Sequence, residues 1–140
     1  MTKVPPHSRG GTFLFTGGSV KLKRLIESGE AEKLATGFQF TEGPVWMPEG
    51  HLLFSDIPGN RINRWTETDG VSVWREPSGN SNGLTYDATG RLLACEHGNR
   101  RVSVTQPDGG VETLVETFAG KRLNSPNDIV VKSDGAVYFT

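Results

Sequence analysis

The chain has 140 residues, the length of one ordinary domain, with 15 basic and 16 acidic side chains and a net charge of −1. No basic stripe or acidic tail marks a nucleic-acid partner, and no apolar run reaches the ~18–20 residues that would span a bilayer. A single cysteine, Cys95, excludes an internal disulfide framework and makes the reducing cytoplasm the expected compartment.

In chain order, residues 1–29 read as an N-terminal extension. Its Phe13-Leu14-Phe15 cluster is too short for the apolar core of a signal peptide. Ser19 is a cap for a short helix in which Leu22, Leu25 and Ile26 share a face, ending at Gly29. The segment from Glu30 to Thr36 then leads into the first repeat and is a candidate closing strand.

Residues 30–140 are repetitive. Glu42, Asn82 and Asn127 each stand eight residues before a turn glycine, Gly50, Gly90 and Gly135, and the units recur after 40 and 45 residues. That is the period of propeller blades, ~40–45 residues each. The match continues past the turn: Leu52–Asp56 aligns with Leu92–Glu96 and with Val137–Thr140, and Asn60–Trp65 aligns with Arg100–Thr105. Asp69-Gly70 and Asp108-Gly109 are hairpin signals between further strand-like runs. Each unit therefore predicts a four-stranded antiparallel blade, with blades over about 42–81 and 82–126 and an incomplete one over 127–140. Propellers need ~4–8 blades to close, so the expectation is an all-β fold holding two blades and the start of a third.

The register has a chemical consequence. If the blades are radial, the oxygens of Glu42, Asn82 and Asn127 converge on one axis, and converging hard oxygens suit a hard cation such as calcium.

Four runs carry a resemblance. They are Ala35 to Trp46 with its Glu42-Gly43-Pro44 motif, Leu53 to Ile62, Asn82 to Asp87, and Ser125 to Val131 with Pro126-Asn127-Asp128. Over roughly residues 30–140 the chain resembles the gluconolactonase, regucalcin (senescence marker protein) and luciferin-regenerating-enzyme family. The resemblance implies a six-bladed β-propeller with one divalent cation in the central channel, calcium first, with zinc, manganese and magnesium as alternatives. It implies hydrolysis of lactones or related esters, with a small-molecule substrate and neither nucleic acid nor membrane as partner. It assigns Glu42 as a metal ligand and Asn127 as a residue at both metal and substrate. The remaining ligands, an Asn and an Asp, and the general base would come from later blades, so no catalytic residue is assigned to this chain and it is expected to be inactive alone. Animal sugar-lactonase members carry Arg where this chain has Ser125, so that substrate contact does not carry over.

Asn82 and His97 are the other candidate substrate contacts, Asn82 by register and His97 because it follows the inner strands at the place of Ile57. Gly79-Asn80-Ser81-Asn82-Gly83 matches a nucleophile elbow, but that turn needs a helix after the serine and here a strand pattern follows. Cys95 is expected as a small buried residue, and Trp46, Trp65 and Trp74 as blade packing. The alternative reading of the whole chain is a non-catalytic propeller that binds a partner on its face.

Overall fold

Period-two alternation of apolar and polar residues decides the elements. The computed structural model describes residues 31–140, and no helix occurs among them. The extension over 1–29 and its short helix lie outside the described residues. The chain divides between Thr36 and Gly37, and every strand of the described residues lies in the unit over residues 37–140. Residues 31–38 form no strand. A strand exists only within a ladder, and the partner of a closing strand would belong to a last blade.

Strands β1 (Thr41–Met47), β2 (His51–Asp56), β3 (Arg61–Thr66) and β4 (Gly70–Arg75) make one antiparallel sheet in sequence order. Strands β5 (Ser81–Tyr86), β6 (Leu92–Glu96), β7 (Arg101–Thr105) and β8 (Val111–Val115) make a second. A short hairpin, β9 (Thr117–Phe118) and β10 (Lys121–Arg122), precedes the paired β11 (Ile129–Val131) and β12 (Val137–Phe139). The protein is thus all-β, two propeller blades and the beginning of a third.

The two complete blades repeat pair for pair. Thr41 faces Asp56 as Ser81 faces Glu96, Val45 faces Leu53 as Thr85 faces Leu93, and Ile62 faces Arg75 as Val102 faces Val115. Even the irregularities recur: β1 is bulged between Glu42 and Val45, and β5 between Ser81 and Leu84. Pro44, which has no N–H to give a ladder, sits inside the first bulge, where its loss costs least. The three β-turns match as well. Gly50, Gly90 and Gly135 each donate to the carbonyl three residues back, at 3.0, 2.9 and 2.8 Å, with φ of +85°, +84° and +88°.

Packing runs between sheets. Met47, Leu53 and Ile62 of the first blade meet Leu84, Leu92 and Ala94 of the second, with Val45 and Trp74 at the margin. Leu93, Cys95, Val102 and Val104 meet Ile129, with Val131 and Val137 at the margin. Successive residues of β6 therefore face opposite neighbours, and all five are buried. This is why Leu92–Glu96 reads as a near-continuous run rather than an alternation. Trp46 is 56 % exposed, on the face of β1 opposite Val45 and Met47, the side that the second blade does not cover.

The first strands of the blades touch main chain to main chain. A Cβ on Gly43 would lie 2.1 Å from the Asn82 carbonyl oxygen, and one on Gly83 would lie 2.7 Å from that of Asn127. Gly83 N–H also donates to that Asn127 carbonyl at 2.8 Å. No side chain fits at either place. Gly43→Ala, which adds positive φ to the clash, is expected to destabilise by at least about 2 kcal/mol more than Gly50→Ala, whose φ is also positive but whose Cβ meets open space. Urea denaturation of the two variants measures the difference.

Candidate metal and substrate site

The main-chain contacts at Gly43 and Gly83 set the residues before each glycine side by side. Glu42 precedes Gly43, and Asn82 precedes Gly83. Asn127 is tied in by its own carbonyl and by its N–H, which donates to Thr140 at 2.6 Å. Ser55 fixes the middle position: its hydroxyl donates to the Asn82 carbonyl at 2.8 Å and lies 2.9 Å from Ser81 Oγ. At the place of Ser55 the second blade carries Cys95, whose Sγ donates to the Asp128 carbonyl at 3.6 Å. Burial, with the Asp128 charge, pushes the Cys95 thiol up to about 12, so it stays protonated and a donor at neutral pH.

Glu42 is exposed, and among the described residues its side chain accepts only a 3.4 Å contact from Gly43 N–H. Asn127 is also exposed, whereas Asn82 is 7 % exposed. His97, in the turn after β6, is half-buried, and its Nε2 lies 3.2 Å from Asn82 Nδ2. The fold thus joins Asn82 to His97 by their side chains, and joins Glu42, Asn82 and Asn127 through adjoining main chain. Ser125 has φ +48°, the same left-handed turn that Asn80 makes at +52° one unit earlier.

The residues present fit one side of a hard-cation site: the Glu42 carboxylate, with the amide of Asn127 carried just before β11. Among the described residues, no three His, Cys, Asp or Glu side chains come together to hold a metal by themselves.

Ser81 lacks the exposure and the following helix of a nucleophile elbow. It is fully buried at the start of β5, bonded to Ser55, with its N–H capped by Ser78 Oγ at 3.1 Å and no helix after it.

A buried cluster around Glu96 has no counterpart among the sequence-based expectations. Glu96 is 1 % exposed and accepts from Asn99 Nδ2 at 2.6 Å, Arg101 Nε at 2.7 Å, Ser103 Oγ at 2.6 Å and Arg75 at 3.2 Å. Arg75 comes from the first blade, so the pair bridges two blades. Its equivalent, Asp56, accepts instead from the N–H groups of Gln39 and Phe40 at 3.1 and 3.0 Å. Burial pushes the Glu96 carboxyl up, but the hydrogen bonds from Arg101, Ser103 and Asn99 and the Arg101 charge outweigh it and hold the group below the usual carboxylate range.

Known proteins share this arrangement of blades. Residues 40–140 match the model of the SMP-30/Gluconolactonase/LRE-like region. The chain belongs to this family. It is 37 % identical over 138 residues to a gluconolactonase of Zymomonas mobilis subsp. mobilis, an alignment covering 87 % of this chain and 39 % of that protein. Of solved structures, the gluconolactonase of Xanthomonas campestris superposes with a TM-score of 0.71 at 42 % identity, over 74 % of this chain and 35 % of its own. A putative gluconolactonase superposes with a TM-score of 0.75 at 41 % identity, over 80 % and 40 %. The chain spans less than half the length of each.

Because the folded Glu96 binds its proton more weakly than an unfolded carboxyl, its contribution is complete above the unfolded value of ~4.3 and is lost as pH falls through the lower folded value. Glu96→Gln is expected to destabilise by about 3 kcal/mol at pH 7, since Arg75 is left beside a neutral amide. The variant should also show a flatter loss of stability below pH ~4.3. Urea midpoints of both proteins at a series of pH values check both statements.

Proposed function

We propose that this segment serves in a lactonase that opens lactones or related esters with the help of a divalent cation, calcium being the first choice. The observation that carries the reading is the alignment of Glu42, Asn82 and Asn127 by adjoining main chain, in a chain belonging to a family that includes gluconolactonases. Glu42 supplies the charge that holds the cation, and Asn127 adds a neutral oxygen next to the substrate. Asn82 contacts the substrate at the same end of the blades, with His97 at its side. The remaining oxygen ligands and the general base reside on further blades of the closed propeller. A cation bound there would polarise the lactone carbonyl and make a bound water more acidic.

Two measurements test the reading. In a protein that carries this segment within a closed propeller, Glu42→Gln should lower lactone hydrolysis by at least about 100-fold and weaken calcium binding, while Ser81→Ala stays within about threefold. Loss of activity in Ser81→Ala with calcium still bound would restore the serine as nucleophile. Residues 1–140 alone should bind calcium no better than ~0.1–1 mM by calorimetry, because calcium takes six to eight oxygens and this chain offers one charged ligand. No lactone turnover is expected by pH-stat. Micromolar affinity with turnover in a monodisperse monomer would overturn the assignment of ligands to further blades.

A further inference from the structure

The first blade has Glu42 and Ile57 where the second has Asn82 and His97, so a side-chain pair exists at the second position that the first cannot form. An amide nitrogen only donates. With Asn82 Nδ2 turned to the ring, the 3.2 Å contact to His97 Nε2 is a hydrogen bond when Nε2 carries a lone pair, the tautomer with its proton on Nδ1. Both residues have fixed main chains. Asn82 is held through its carbonyl by Ser55, and His97 N–H donates to the Asn80 carbonyl at 3.2 Å. The next residue, Gly98, donates to Gly79 at 2.9 Å, and a Cβ on it would come within 2.7 Å of Asn80 Oδ1. Two freedoms remain, the flip of the Asn82 amide and the tautomer of the ring. With Nδ2 engaged, the edge left for a ligand is Oδ1, which accepts no hydrogen bond among the described residues.

We propose that His97, accepting at Nε2, is a positioning residue that locks the Asn82 amide, so that this amide presents an oxygen to an O–H group of the substrate. His97 acts through Asn82 rather than on the reacting atoms. The proposal rests on the lactonase reading only for the identity of the ligand, since the lock itself is a property of the two side chains. It distinguishes hydroxylated lactones from plain ones. A locked acceptor rewards a donor, whereas an amide free to turn would accept or donate.

The lock is tested by 15N NMR of the histidine ring in this chain. The expected spectrum has a protonated Nδ1 and a bare Nε2 for His97 at neutral pH, and a protonated Nε2 would overturn the proposal whatever the protein hydrolyses. Variants then test its use in the closed propeller. His97→Gln keeps an acceptor in Oε1 and should hold KM for a hydroxylated lactone within about threefold, while His97→Arg, which has only donors, should raise it about tenfold with kcat little changed. A lactone without hydroxyls should respond to neither variant. Equal losses in Gln and Arg, or equal losses for both lactones, would overturn the proposal. Where a variant does not fold by circular dichroism, the wild-type NMR result decides. A protein with the expected His97 spectrum that hydrolyses no lactone would overturn the lactonase reading and leave the lock in place.

Discussion

The contact on which the rest depends is the approach of one inner strand to the next without intervening side chains. Gly43 lies against the Asn82 carbonyl and Gly83 against that of Asn127, close enough that a methyl group would overlap the oxygen. Strands this close share one spacing, and whatever side chain precedes each glycine is carried to the same level of the fold. The bulges at Glu42 and at Asn82 fall at this level, which turns the chain locally without disturbing the pairing beyond it. Site and architecture are therefore one problem: the glycine that lets the blades meet also sets the residue before it at their meeting line.

Much of this was legible because it is periodic. Forty-residue spacing, turn glycines and alternating apolar positions are local signals, and each recurs, so the turns at Gly50, Gly90 and Gly135 support one another. The bridge between Arg75 and Glu96 was not legible: its partners lie 21 residues apart in different blades, and nothing in either residue's neighbourhood names the other. The same holds for Asn82 and His97, each singled out separately although only the fold makes them a pair. The exposure of Trp46 is a different matter. A period-two pattern says which residues share a face, but not which face has a neighbour.

Asp56 and Glu96 illustrate how a repeat diverges. They occupy one position, both fully or almost fully buried, yet the shorter side chain closes the segment that enters the first blade. The longer one reaches two arginines, a serine and an asparagine. At the second position the carboxylate connects two blades, because Arg75 comes from the first. It also places a charge-dependent joint immediately before His97.

The second repeat interval is five residues longer than the first, and the extra length is gathered in one place. Leu123 N–H donates to the Glu116 carbonyl at 2.9 Å, closing the base of the β9–β10 hairpin. Arg100 and Arg122 tie the hairpin and the turn after His97 together, at 2.6 and 2.8 Å. The added residues thus bud from the crossing between blades as a closed side branch, with Phe118 80 % exposed near its tip. Chain length can vary at that branch point without shifting Asn127 relative to Gly83, so this is where members of such a family are free to acquire ornaments of their own while the axis keeps its geometry.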